Sequence, residues 1–189
     1  MAKQKHSPLT FNVAQLLREE VGSRRQHEFT EDHLQLHDRE SLQNIVGTAR
    51  FTRTPAGVYV ESTVSGVIHC DCMRCLQPAR VAITVTFTEE YFASVDVTTG
   101  ANLVKHIDTE DDDDDRFFVN EQHLLDLGEA LREYALLELP MRPLCKSDCR
   151  GLCAGCGVDL NVETCRCHQE PVDERFAALK ALLDSSKSQ

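Results

Sequence analysis

Residues 145–157 read CKSDCRGLCAGCG, and ETCRCHQ follows at 163–169. A stretch this rich in thiols must cross-link them, react through them or bind metal with them. The chain holds nine cysteines, an odd number that suits a disulfide framework poorly. Its first residues, MAKQKHSPLTFNVAQLLREE, open basic but carry no apolar run of signal-peptide length before Arg18. No segment approaches the ~18 apolar residues of a membrane helix. These features predict a cytoplasmic chain, or one in an equivalent organelle compartment, with no membrane partner. Thiols stay reduced there, and clustered cysteines are then metal ligands.

Zinc takes four thiolate or imidazole ligands in a tetrahedron, commonly supplied in pairs. Cys72 and Cys75 form a C-x₂-C pair directly after a strand pattern, and Cys153 and Cys156 form a second, followed by Gly157. Glycine there lets the backbone turn back under a metal. Cys145 and Cys149 make a third pair and Cys165 and Cys167 a fourth, leaving Cys70 over. Pairing Cys153 and Cys156 with Cys165 and Cys167 closes a compact local ribbon. Cys72 and Cys75 then join Cys145 and Cys149, clipping a hairpin end to the end of a helix. The alternative is one site built from Cys145, Cys149, Cys153 and Cys156. The expected cofactor is therefore zinc, as two structural ions or as one. A closed four-thiolate cage has no open position for water, so the metal holds the chain rather than reacting. Such a cage carries net negative charge. Arg74, Lys146, Arg150 and Arg166 lie among the ligands and are read as offsetting it, with phosphate contact as the rival role. His168 is a possible substitute ligand, and His69 beside Cys70 a possible thiolate–imidazole pair.

The rest of the chain predicts an α+β fold: an antiparallel sheet with a packing helix, a C-terminal zinc-ribbon-like module and a short terminal helix. The division expected is a core domain over 1–140 and a cysteine-rich module over 141–189. TFNVAQLLREE at 10–20 suggests a short helix with Val13, Leu16 and Leu17 inward, and SRRQHEF a brief strand. From Gln43 the pattern alternates through Ile45, Gly47, Ala49 and Phe51. TPAG at 54–57 marks a turn into a strand carrying Val58, Val60 and Val64. ARVAITVTFTEEYF alternates Val81, Ile83, Val85 and Phe87 against threonines, as a half-buried strand does. RFFV reads as a further strand. DLGEALREYALLELP reads as a helix begun by Asp126, ended by Pro140, with Leu127, Leu131, Tyr134 and Leu137 or Glu138 along its stripe. DERFAALKALLDSS reads as the last helix.

The formal charge is −11, and seven of the acids sit at Asp108 and Glu110–Asp115, a run read as a solvated loop. An acidic chain is repelled by phosphate backbones. No Walker loop, G-x-G-x-x-G or H-E-x-x-H motif is present, and no nucleophile–base constellation stands out, so an enzyme is not predicted.

VIHCDCMRCL, LELPMRPLCKSDCRGLCAGCGVDLN and DERFAALKALL together resemble the YceD family of large ribosomal RNA subunit accumulation proteins. The resemblance spans about residues 43–183. It implies a non-enzymatic role in accumulation of the large-subunit ribosomal RNA, and metal sites that serve stability. The expected partner is a pre-ribosomal particle, a ribosomal protein or an assembly factor. Binding to naked RNA should be weak, because Met141–Cys167 holds four basic and three acidic residues. The competing expectation is a redox-sensitive zinc thiol protein that exposes a binding surface on oxidation.

Overall fold

The computed structural model describes residues 9–103 and 116–167. The fold is α+β and dominated by sheet. The chain separates into two compact units, Met1–Cys149 and Arg150–Gln189. The boundary falls later than the expected division after residue 140, since Cys145 and Cys149 close on cysteines of the sheet.

In the first unit the elements run β1 (Thr10–Asn12), α1 (Ala14–Arg18), β2 (Arg24–Gln35), β3 (Ser41–Arg53), β4 (Gly57–Asp71), β5 (Pro78–Ala93), β6 (Phe117–Val119), β7 (Leu124–Asp126) and α2 (Gly128–Glu138). The main sheet has the order β2-β3-β4-β5-β6, and β1 pairs with β7 in a small second sheet. The pairings β2–β3, β3–β4 and β4–β5 are antiparallel, as the alternation predicts. The pairing β5–β6 is parallel and departs from the expected all-antiparallel sheet.

The inward residues are those the alternation selects: Ala49 and Phe51 on β3, Val58, Val60 and Val64 on β4, and Ile83, Val85 and Phe87 on β5 are buried. Each of the valine, isoleucine and phenylalanine side chains contributes about 1.5–3 kcal/mol on leaving water. The opposite face carries hydroxyls in register, with Thr63 against Thr86 and Ser65 against Thr84. A register shift between Gln43 and Val46, with Asn44 at φ 52°, reverses the side-chain parity of β3. Leu42 and Ile45 therefore both point inward.

The helix α2 covers this face through Ala130, Leu131 and Ala135, and Tyr134 stacks on Phe87 with ring centroids 5.1 Å apart. Asp126 Oδ1 accepts from the Gly128 N–H at 2.7 Å where the helix begins, although the residue flanking the helix is Leu127. Leu137, expected on the stripe, is 80% exposed. Ala135 takes the inward position four residues after Leu131 instead. Leu139 turns extended before Pro140, as a residue preceding proline must. At the other end the expected helix over 10–20 splits: Thr10–Asn12 pair with β7, and only Ala14–Arg18 are helical. Val13, Leu16 and Leu17 are buried as expected. The acidic run, His168 and the expected terminal helix lie outside the described residues. No helix among the described residues is long and apolar enough to cross a membrane.

Candidate metal centres

Among the described residues the β4–β5 hairpin is the longest ladder, running from Gly57 opposite Phe92 to Asp71 opposite Pro78. Its connection is the hexapeptide Cys72–Gln77. The Cys72 N–H donates to the Gln77 carbonyl at 2.8 Å, and the Leu76 N–H donates back to the Cys72 carbonyl at 2.9 Å. The turn so formed aims both Cys72 and Cys75 inward. The second unit repeats it. The Cys153 N–H donates to Val158 at 2.8 Å, and the Gly157 N–H donates to Cys153 at 2.8 Å. Both turns need a left-handed residue four positions after the first cysteine. Gly157 supplies it at φ 74°, and Leu76 at φ 60°. A leucine costs about 1–2 kcal/mol in that conformation. The sequence signals Gly157 openly but gives no hint that Leu76 does the same work.

Each turn receives the pair of cysteines that the two-site reading assigned to it. Cys72, Cys75, Cys145 and Cys149 bring their sulfurs within 4.8 Å of one another, and so do Cys153, Cys156, Cys165 and Cys167. The single-site grouping of Cys145, Cys149, Cys153 and Cys156 is not the one that forms. In the first tetrad Cys72 Sγ lies 3.8 Å from Cys149 Sγ, and Cys75 Sγ 3.5 Å from Cys145 Sγ. In the second, Cys165 Sγ lies 3.2 Å from Cys153 Sγ and 3.8 Å from Cys156 Sγ. A tetrahedron with metal–sulfur bonds of about 2.3 Å has edges of about 3.8 Å. Both tetrads therefore fit a metal ion, and neither contains a disulfide.

Their surroundings differ. Cys72, Cys75 and Cys149 are buried at 0%, 2% and 1% exposure, inside the main core. The loop bearing Cys145 and Cys149 is tied to the turn by two hydrogen bonds. Met73 N–H donates to the Pro143 carbonyl at 2.9 Å, and Arg74 Nη1 donates to the Cys149 carbonyl at 2.7 Å. Arg74 is thus committed to the ligand loops. The second tetrad sits in a small ribbon with Cys156 and Cys167 exposed. Its frame is the Leu152–Asp159 bridge, a Leu160 N–H to Gly151 carbonyl bond of 2.9 Å, and Asn161 Oδ1 accepting from the Arg150 N–H.

The thiol electrostatics divide each tetrad alike. Burial works against charge on Cys72, but backbone N–H groups of Cys145, Cys75 and Arg74 outweigh it and bring the thiol down to about 6. Backbone N–H of Cys156, the Cys165 thiol and backbone N–H of Gly155 bring Cys153 to about 6. Burial and then the neighbouring thiols push Cys145 up to about 12. The thiols of Cys156 and Cys165 push Cys167 up to about 12 as well. The opposed shifts arise because four thiols crowd one point, where an added charge on any of them is felt by the rest. A cation at that point would favour loss of their protons.

Cys70 stands apart. Burial, then the charges of Glu40 and Asp71, raise its pKa. Cys70 and His69 are successive residues of β4, opposite Ala79 and Arg80, so they face opposite sides of the sheet. They form no thiolate–imidazole pair.

Fold and site define the class: a sheet protein of α+β type whose two cysteine tetrads are closed by matching turns. The chain belongs to the family described as large ribosomal RNA subunit accumulation protein YceD, which matches residues 60–183. An uncharacterized protein of Mycobacterium tuberculosis is 31% identical over 188 residues, covering 95% of this chain and 84% of that protein. A chloroplastic Zea mays protein, named large ribosomal RNA subunit accumulation protein YCED homolog 1, is 29% identical over 134 residues. That match covers 61% of this chain and 46% of the maize protein. The homolog 1 of Arabidopsis thaliana, also chloroplastic, is 27% identical over 141 residues, covering 66% of this chain and 44% of its own length. No solved structure matches the chain.

Proposed function

We propose that this chain is a non-enzymatic, zinc-stabilised factor of the cytoplasm that supports accumulation of large-subunit ribosomal RNA by assisting ribosome assembly. The observation that carries the reading is a pair of closed thiolate tetrads in a member of a family described by that accumulation. Cys72, Cys75, Cys145 and Cys149 hold one zinc ion, and Cys153, Cys156, Cys165 and Cys167 hold the other. Four thiolates leave no coordination position for water or substrate, so each ion is structural.

The partner is a pre-ribosomal particle, a ribosomal protein or an assembly factor, met as protein or nascent ribonucleoprotein. Affinity for phosphate backbones grows with the number of uncompensated cations. The chain carries −11 overall, and Arg74 already serves the Cys149 carbonyl. Beside that arginine, Met73 and Leu76 project at 61% and 63% exposure from the hairpin tip, apolar surface that suits a protein contact.

Depletion of the protein tests the reading. Ribosome profiles should show a deficit of large subunits, with large-subunit ribosomal RNA or its precursors altered in amount. Unchanged profiles and unchanged precursor levels after complete depletion would overturn it.

A further inference from the structure

Among the described residues, the strand β2 is one edge of the five-stranded sheet and pairs with β3 alone. Edge strands are commonly kept short or blunted with charged side chains or proline, because their free N–H and C=O groups template further pairing. This strand is 12 residues long and has no proline, so its charges alone decide what can pair with it. The Arg132 guanidinium takes the Gln35 carbonyl at 3.1 Å, closing its C-terminal end. Among the described residues, no strand pairs with the outer edge of Arg24–Asp32. Among the described residues, Arg24, Glu28, Glu31 and Asp32 enter no ion pair, and Arg25 pairs with Glu19.

The charges along this edge have an internal order. RRQHEFTED begins with two cations and ends with two anions, so its sign pattern inverts about Glu28. We propose that the edge pairs antiparallel with the same edge of a second copy, about a two-fold axis at Glu28, giving one continuous sheet across the dimer.

The register follows from geometry. Directly opposed residues share a face of a sheet. A two-fold axis normal to the sheet keeps each face on its own side, so a residue can oppose only residues of its own parity along β2. An axis at His27 puts Arg24 opposite Thr30 and Arg25 opposite Phe29. An axis at Phe29 puts Arg25 opposite His33 and Asp32 opposite Gln26. The axis at Glu28 sets Arg24 against Asp32 and Arg25 against Glu31, on both sides, with His27 against Phe29. Its one unfavourable pair is Glu28 against its own copy. A generic strand would meet mismatched charge on this edge, whereas a second copy meets its complement. Both copies carry −11, so association is concentration-dependent and rests on the local pattern.

The test is sedimentation velocity of the full zinc-loaded chain over a concentration series. A reversible dimer is expected. Reversing the cations (Arg24→Glu with Arg25→Glu) or the anions (Glu31→Arg with Asp32→Arg) should each weaken it by roughly tenfold or more. Mixing the two reversed variants should form a heterodimer, because positions 24, 25, 31 and 32 of each copy then all meet opposite charge, with Glu28 against its own copy unchanged from the wild-type pairing. Glu28→Gln should tighten the wild-type dimer. If a double variant does not fold, as judged by its circular dichroism, Arg24→Glu and Asp32→Arg singly carry the same test, since neither side chain has an ion pair to lose. A chain monomeric at every concentration, a dimer indifferent to these reversals, or folded reversed variants that fail to associate on mixing would each overturn the proposal.

Discussion

Replacing Cys75 or Cys156 by serine removes one ligand from each tetrad in turn, and the two losses should differ in size and place. Cys75 meets Cys145 across 70 residues of chain, and Cys156 meets Cys165 across 9. Cross-linking such loops constrains the unfolded chain by about 4.4 and about 2.6 kcal/mol. Cys75 is also 2% exposed, so its serine buries a hydroxyl beside sulfurs that have lost their metal. That adds about 1–3 kcal/mol. The first unit should lose about 5–7 kcal/mol, against a typical domain stability of about 5–15 kcal/mol. Its melting temperature should fall by roughly 10–30 °C. Cys156→Ser should open residues 150–167 and leave the melting of the first unit in place. Hydrogen exchange read by mass spectrometry separates the two, with peptides of β4 and β5 reporting one unit and peptides of 150–167 the other. Zinc content should drop by one ion in each variant. Equal loss of protection in both units, or two ions retained in both variants, would refute the assignment of separate structural sites.

Purified protein should contain about two zinc ions per chain by elemental analysis. Zinc affinity should fall as pH falls, because each thiol must lose its proton to bind. In the metal-free fold Cys72 and Cys153, lowered from 9.0 to about 6, stay charged above that value and take up protons as pH falls through it. An affinity that does not change between about pH 8 and pH 5 would contradict the ligand assignment. Gly57→Ala should destabilise the first unit by about 3 kcal/mol, seen as a lower calorimetric melting temperature, because an added Cβ would stand 1.9 Å from the Tyr91 carbonyl oxygen. Gly157→Ala meets nothing within 4 Å, so its cost is the left-handed backbone alone. That is about 1 kcal/mol, a roughly fivefold loss of zinc affinity in chelator competition. Isolated large-subunit RNA should bind no tighter than about micromolar at physiological salt, and a nanomolar, sequence-selective complex would exclude the protein-partner reading.

The site was more legible than the fold around it, for a physical reason. Cysteine pairs within C-x₂-C turns are set by local chain geometry, so their convergence can be read without knowing the rest of the fold. The grouping of the pairs follows from loop lengths, and the structure brings together the same two sets of four. β4 and β5 were equally plain, since Val58, Val60, Val64, Ile83, Val85 and Phe87 are packed on one side only. What failed depends on distant partners. Thr10–Asn12 look like a helix start until β7 arrives to pair with them. The parallel strand β6 is three residues long and has no pattern of its own.

The strand β2 shows the deeper limit. Its polar sequence, RRQHEFTEDHLQ, has little strand propensity. It is a strand because β3 offers a ladder over its whole length and because Phe29, placed opposite Gly47 by that ladder, fills the space over it, where an added Cβ would lie 2.5 Å from its ring. Phe11 then packs on both His27 and Phe29, with centroids 5.3 and 5.8 Å away. Glycine at position 47 and the rings at 11, 27 and 29 thus account for one another only in three dimensions. Leu76 makes the same point at the metal centre. Its sequence neighbours predict nothing unusual, yet the turn that aims Cys72 and Cys75 requires its left-handed backbone. A side chain that packs against little and carries strain persists there because the tetrad's closure outweighs it.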